Sequence, residues 1–412
     1  MGQTNGLSEA MPFLPRTSRL LFDRKDYQLI QIVSDVCSRD RNPEYSRRQY
    51  YGYFHPHGIK EMAESRSLRI AYAMVHLLTS LEVDGMDDRL SALRSLRAEV
   101  IDAAEGPMPK NTARVLMQIM KEIIRAREDH RRQLELAHDF RITFSGKPRV
   151  IRKQLKRYFL LEMPEEWNQI TFDDHVHDVN TKGRKSSTHL IMDAWIKGIR
   201  RLRVVYYNYI EPRLATELLE AARIMEIDIR IGVEFSARFR NKYINLIWVP
   251  RGFPDSQAFL CFLENPSVVN LMNEGKKISG YQQVYVIDLL KSFNQNHLPA
   301  IREAYDIDLE TVSEKEFVAF VGIGQKSTLH LEKFIHLKIF SALQKKAEEL
   351  RISHQKADGD DRRRIEKWFD KINRIDWDAF VANYLKPSSN PGVPNPLKPV
   401  DGPDVPELLK TS

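Results

Sequence analysis

Apolar residues change their spacing along the chain, from a helical period in the first part to a strand period in the middle. Residues 58–160 place apolar side chains every three to four positions, which predicts helices. The middle holds four runs of strand type, around His175 and over residues 202–209, 227–235 and 243–249. Segments with helical spacing separate the first three runs. Such an alternation is typical of a parallel sheet or a (β/α) barrel.

Changes in composition divide the chain into four predicted regions. Residues 1–57 are an N-terminal arm and an irregular segment rich in Arg and Tyr, and 58–162 are a helical domain. Residues 163–385 are an α/β domain with C-terminal helices, in which 283–293 are expected to run from a strand into a helix. Residues 386–412 are a proline-rich tail, expected to be extended and mobile. The interleaved Arg and Tyr of the first region either stack on bases or pack against the core.

Net charge, cysteine content and the lengths of apolar runs indicate the cellular compartment and the kind of binding partner to expect. The 412 residues carry a formal net charge of +7, which permits an anionic partner such as nucleic acid without requiring one. Cys37 and Cys261 lie far apart, so a reducing compartment is expected rather than a disulfide framework. No apolar run is long enough for a membrane span, and no signal peptide is recognisable. A cytoplasmic protein without a membrane partner is therefore expected.

The first strand carries the densest group of metal-binding side chains. Asp173, His175 and His177 alternate along it and should point to one face. Imidazole is a good ligand for Zn, Mn or Fe, and two rings on one face can reach the same ion. Asp173 and Asp178 flank the histidines and can orient the rings or add oxygen ligands. The alternative is a polar strand edge without a metal.

Two further features fit a site at the ends of these strands. Glu234 ends the third strand, where burying a carboxylate is costly unless the carboxylate has a partner. The loop after the first strand carries Lys182, Arg184 and Lys185, a basic rim that suits an anionic substrate beside a metal. Ordinary loop charge is the alternative explanation for the rim.

These segments resemble the PHP (polymerase and histidinol phosphatase) family. That family opens with D-x-H-x-H, as in Asp173–His177, and its third strand ends in G-[IV]-E-[IVF]-[ST], as in Gly232–Ser236. The resemblance covers residues 171–263, less than a quarter of the chain. It implies an α/β fold, a distorted (β/α) barrel of TIM-like PHP type, here preceded by an all-α N-terminal domain. It also implies metal-dependent hydrolysis of phosphoesters with up to three metal ions.

The resemblance also implies a ligand set. His175 and His177 would bind the first metal, and Glu234 would bridge two metals. Tyr206-Tyr207-Asn208 stands in place of the family's T-D-H, and Asn245 in place of a histidine on the fourth strand; asparagine is a weaker ligand for these metals. Ser327-Thr-Leu-His330 resembles the family's R-P-H segment, and the closing D-x-H motif is absent. The expected ligands are therefore His175, His177, Glu234, Asn208, Asn245 and His330.

The predicted function is a divergent metal-dependent hydrolase that acts on a phosphoester, with nucleic acid as one candidate. It would use one to three ions of Zn, Mn or Fe. Asp173 or Asp178 would orient a ligand or the attacking water, and Arg184 and Lys185 would steady the phosphate. A catalytically inactive PHP-like scaffold, as a homo-oligomer or part of a larger complex, is the main alternative. A fragment completed by a missing part, and metal-dependent amide or deamination chemistry on a related barrel, are two others.

Overall fold

A computed structural model describes most of the chain between residues 22 and 393. The described ranges are 22–39, 66–81, 85–102, 104–127, 129–166, 171–181, 183, 185–239, 242–322, 324–354, 358–373, 375 and 377–393. The Arg- and Tyr-rich segment 40–57, the residues Lys182 and Arg184, and the end of the proline-rich tail lie outside these ranges. No helix within them is long and apolar enough to cross a membrane.

The N-terminal part consists of helices, which agrees with the all-α region expected there. They are α1 (Arg24–Arg39), α2 (Arg66–Ser80), α3 (Met86–Leu96), a π-helical turn (Arg97–Asp102), α4 (Pro109–Arg125), α5 (His130–Thr143) and α6 (Pro148–Arg157). Proline occupies the first turn of α4 and of α6, where its missing N–H leaves no hydrogen bond unmade. Fully buried side chains such as Met74, Met117 and Phe140 form the core.

Four strands follow, and crossover helices connect the first three. The elements are β1 (Phe172–Val176), α7 (Ser187–Lys197), β2 (Arg201–Tyr207), α8 (Pro212–Met225), β3 (Asp228–Phe239) and β4 (Lys242–Trp248), and the strand order is β1-β2-β3-β4. The backbone N–H of Asp228 donates to the carbonyl oxygen of Arg200 where β2 and β3 begin, and the backbone N–H of Asn208 donates to the carbonyl oxygen of Glu234 where β2 ends. Residue numbers therefore rise in the same direction along both strands, so β2 and β3 are parallel. β4 pairs with β3 in the antiparallel direction.

The prediction of a (β/α) barrel of TIM-like PHP type is wrong for the described chain. Its sheet has four strands and ends in an antiparallel hairpin, so it does not close into a barrel. Residues 283–293, predicted to begin as a strand, are helical. Their buried residues Tyr285, Val286, Leu289, Leu290 and Phe293 follow a helical period, which the apolar content of the segment obscured.

Helices make up the rest of the described chain. They are α9 (Ser256–Leu263), α10 (Pro266–Ser292), a π-helical turn (Phe293–His297), α11 (Leu298–Tyr305), α12 (Glu314–Val321), α13 (Thr328–His354), α14 (Gly359–Asn373), α15 (Trp377–Leu385) and a 3-10 turn (Pro387–Ser389). Buried side chains including Leu289, Phe317 and Ile339 form one core cluster. Ser313 caps α12, because its hydroxyl accepts from the N–H of Glu316.

The chain divides into two compact units. The N-terminal unit contains residues 1–174, 185–202 and 217–229, and the C-terminal unit contains residues 175–184, 203–216 and 230–412. The division passes through β1, β2 and β3. The carboxyl ends of these strands, with the side chains they carry, belong to the C-terminal unit.

Candidate metal centre

His175, His177 and Glu234 bring three donor atoms together, two from the carboxyl end of β1 and one from the middle of β3. The prediction that Glu234 ends its strand is wrong, because β3 continues to Phe239. The two Nε2 atoms are 3.0 Å apart, and Nε2 of His175 is 3.6 Å from Oε2 of Glu234. One donor atom from each side chain lies within 4.8 Å of the other two. Of the His, Cys, Asp and Glu residues that the structure describes, these three form such a group.

The distances between the donor atoms fit a divalent metal ion. Two ligands about 2.0–2.1 Å from a tetrahedral ion are about 3.3 Å apart. The observed separations of 3.0 Å and 3.6 Å bracket this value. Two imidazoles and one carboxylate are also a common set of protein ligands for catalytic zinc and for non-haem iron. The residues present therefore fit a metal with three protein ligands.

Contacts with β2 fix the orientation of the His177 ring. Its Nδ1 is 2.7 Å from the carbonyl oxygen of Val205 on β2, so the ring can donate its N–H there. In that tautomer the lone pair is on Nε2, the atom that faces His175 and Glu234. The ring of Tyr207 lies 4.9 Å from the ring of His177, centroid to centroid, and restricts its rotation.

The centre lies on the exposed face of the sheet. On β3 the residues Ile231, Val233, Phe235 and Ala237 are buried. Glu234 and Ser236 alternate with them and point to the other face, where their antiparallel partners Ile247 and Asn245 are exposed. We call this surface the open face. A ligand from solvent can reach His175, whose side chain is 43% exposed.

The two flanking aspartates differ in their surroundings. Asp178 is fully buried, and its carboxylate accepts from the backbone and side-chain N–H groups of Asn180 and from the hydroxyl of Tyr206. These bonds fix the turn that follows β1, directly after His177. Asp173 lies on β1 in the N-terminal unit and is not a member of the cluster.

Both predicted asparagine ligands bind other protein groups. The amide nitrogen of Asn208 donates to Ser279 Oγ at 3.0 Å and to Gln282 Oε1 at 3.1 Å, and both acceptors are on α10. Asn208 also has a positive φ of 65°, which asparagine tolerates better than most residues. The amide oxygen of Asn245 is 2.6 Å from the hydroxyl of Ser236, across the β3–β4 pair.

Gly275 lets α10 approach Asn208 closely, and we expect Gly275→Ala to destabilise the protein by about 1–3 kcal/mol. A Cβ atom at residue 275 would overlap the carbonyl group of Asn208. Gly280 is the matched control on the same helix, because a Cβ atom there meets nothing within 4 Å. Gly280→Ala is expected to stabilise the protein by about 0.5–1 kcal/mol, since alanine favours helix.

Urea unfolding of the two glycine variants measures both effects. Equal changes for Gly275→Ala and Gly280→Ala would contradict the close packing of α10 against Asn208.

The remaining predicted residues are not part of the cluster. His330 lies on α13 in the C-terminal unit, and its Nδ1 is 3.0 Å from Ser327 Oγ and 3.1 Å from the carbonyl oxygen of Gln325. Lys185 belongs to the N-terminal unit and forms an ion pair with Asp193. Arg184 lies outside the described residues.

Lys185 is one of three basic side chains around Asp193. Lys121 also forms an ion pair with Asp193, and His189 Nε2 lies 3.6 Å from it. Burial alone would raise the pKa of Asp193, but the nearby Lys121, His189 and Lys185 outweigh burial and lower this pKa below its ordinary value. Burial lowers the pKa of Lys121 to about 8, although Asp193 opposes the shift. Lys185 thus has an acidic partner within its own unit.

Sequence reasoning missed Val205 and Tyr207. Tyr207 had a usable signal, because it ends β2 next to β1 and its ring lies against the ring of His177. The carbonyl oxygen of Val205 had none, since every residue carries a backbone carbonyl and its role depends on strand register.

The chain matches no known protein-family model and no curated protein sequence.

Proposed function

We propose that His175, His177 and Glu234 bind a divalent metal ion and that the protein is a metal-dependent hydrolase of a phosphoester. The observation that carries the proposal is the convergence of these three donors with His177 already oriented by Val205. The resemblance to the PHP family in Asp173–His177 and Gly232–Ser236 supports the choice of a phosphoester.

The arrangement of protein groups suits catalysis better than a purely structural metal. Structural zinc sites use four protein ligands, whereas catalytic sites use three and leave a position for water or substrate. Here three ligands converge on a solvent-accessible face. A bound divalent ion would supply an activated water and charge stabilisation for a phosphoryl group.

Each residue has a distinct task in this proposal. His175 and His177 hold the ion through Nε2, and Val205 keeps His177 in the tautomer that binds. Glu234 adds the negative charge that raises affinity for a cation. Its backbone carbonyl accepts from the N–H of Asn208, which joins β3 to the end of β2.

The test is hydrolysis by the full chain after reconstitution with Mn²⁺, Zn²⁺ or Fe²⁺. We expect release of p-nitrophenol from a phosphomonoester or phosphodiester that EDTA abolishes and metal restores. The variant His175→Ala/His177→Ala should show none of this activity. His336→Ala is the matched control, because it removes an imidazole from α13 and leaves the centre intact. Activity equal in the double variant and the native chain would overturn the proposal.

A non-catalytic scaffold is the second candidate. The observation in its favour is that the amides of Asn208 and Asn245 are hydrogen-bonded to other side chains. A metal that binds to the three ligands without hydrolysis of any ester would favour this candidate.

A further inference from the structure

Residues 324–327, which lead into α13, lie beside the candidate metal centre within the C-terminal unit. The side-chain amide nitrogen of Gln325 donates to the carbonyl oxygen of Tyr207, at the end of β2, at 3.4 Å. The ring of Tyr207 in turn lies 4.9 Å from the ring of His177, centroid to centroid. An added Cβ atom on Gly324 would overlap the carbonyl oxygen of Val179, in the turn that follows β1. The segment therefore packs against the ends of β1 and β2, next to His177.

Helix α10 holds the same segment from another direction. Ser279 on α10 donates its hydroxyl to Gln325 Oε1 at 3.2 Å and accepts from the side-chain amide of Asn208 at 3.0 Å. Gln282 accepts from the same amide at 3.1 Å. The backbone N–H of Asn208 donates to the carbonyl oxygen of Glu234 on β3. Hydrogen bonds thus connect the segment to both strands that carry the proposed metal ligands.

Lys326 is the charged residue of this segment, and its partner is neutral. Its Nζ donates to Oε1 of Gln283 on α10 at 3.1 Å, and it forms no ion pair with a carboxylate that the structure describes. The side chain is half-buried. An amide oxygen accepts a hydrogen bond but does not neutralise an ammonium group, so an anion would stabilise this charge further. Lys185, by contrast, already pairs with Asp193.

We propose that Lys326 binds a phosphoryl oxygen of the substrate at the candidate metal centre. The inference rests on the proposed function, and it gives Lys326 the task that sequence reasoning gave to Arg184 and Lys185. Lysine is a common phosphate ligand, with a compact charge on a flexible four-carbon stem. Its ammonium group has three N–H donors, so one can stay on Gln283 while another meets the phosphate. A cation beside the metal ion stabilises the charge of the phosphoryl group.

Binding of inorganic phosphate to the Mn²⁺-loaded full chain tests this assignment. By isothermal titration, Lys326→Gln should weaken phosphate binding about tenfold or more, because it removes a charge-assisted contact. Lys326→Arg keeps the charge and should stay within about threefold of the native affinity. Lys367→Gln makes the same change at an exposed lysine on α14 and should have no effect. The Mn²⁺ affinity of each variant, measured by competition with a chelator, should equal that of the native chain.

Phosphorus-31 relaxation tests whether the phosphate lies at the centre. Mn²⁺ is paramagnetic and broadens the resonance of a phosphate close to it, so the native chain should broaden the phosphate signal strongly. Phosphate that binds without this broadening lies away from the metal, and that result would overturn the inference.

Two further outcomes separate this inference from the proposed hydrolase. Equal phosphate affinity in Lys326→Gln and the native chain, or no phosphate binding at all by the native chain, would overturn the role of Lys326. Metal-dependent ester hydrolysis would still support the proposed function in that case. A selective loss in Lys326→Gln, in a chain that hydrolyses no ester, would reject the hydrolase and keep the phosphate site. A native chain that takes up no Mn²⁺ would overturn both.

Discussion

Replacing both His175 and His177 with alanine is expected to weaken the binding of Mn²⁺ or Zn²⁺ by more than about 100-fold. Loss of a residue that only orients a metal ligand already costs about 10- to 100-fold in affinity. The double variant removes two of the three proposed ligands and leaves Glu234 alone. Competition with a chromophoric chelator measures the affinities of the native chain and the variant.

His330→Ala is the informative control for this experiment, because sequence reasoning also placed His330 among the ligands. Its Nδ1 contacts Ser327 and the carbonyl of Gln325, and it is not a member of the cluster. We expect its metal affinity to stay within about threefold of the native value, which is less than about 1 kcal/mol. A loss as large as that of the double variant would move the centre to His330.

Glu217→Ala is expected to lower the free energy of unfolding by about 3–5 kcal/mol, the largest effect on stability that we foresee. Glu217 on α8 accepts two hydrogen bonds from Arg89 on α3, at 2.9 and 2.6 Å, and one from Thr188 at 2.8 Å. The side chains of Arg89 and Glu217 are only 8% and 4% exposed. The substitution leaves the charge of Arg89 buried without its partner carboxylate, and that accounts for the cost.

Glu220→Ala is the matched control, three residues further along α8. Glu220 pairs with Arg94, whose side chain is 52% exposed, and solvent screens such a pair. We expect a loss of no more than about 1 kcal/mol by urea unfolding. If Glu217→Ala and Glu220→Ala cost the same, the buried pair does not have the role in stability that its geometry indicates.

The local parts of the centre could be predicted from sequence. Alternation along a strand places His175 and His177 on one face, and a parallel strand further along the chain supplies Glu234. Both inferences need only the side-chain period and the order of strands along the chain. The structure brings these three side chains together.

The fold as a whole could not be predicted, because closure of a barrel depends on partners distant in sequence. The strand at residues 243–249 reads equally well as a parallel barrel strand or as the second strand of a hairpin. In the structure β4 turns back on β3. An apolar run such as residues 283–293 is similarly ambiguous between strand and helix.

The role of Asn208 could not be predicted either, because it depends on contacts with residues distant in sequence. Its place in the motif suggests a ligand, whereas its contacts tie the end of β2 to α10. Those contacts depend on a positive φ and on the close approach at Gly275, and a family pattern conveys neither.

The metal content of the purified native chain tests the central claim most directly. Elemental analysis after gel filtration should find about one equivalent of Zn, Mn or Fe per chain, as expected for one site with three protein ligands. His175→Ala/His177→Ala should contain none. A native chain that stays metal-free after reconstitution with Mn²⁺, Zn²⁺ and Fe²⁺ would contradict the claim that His175, His177 and Glu234 form a metal centre.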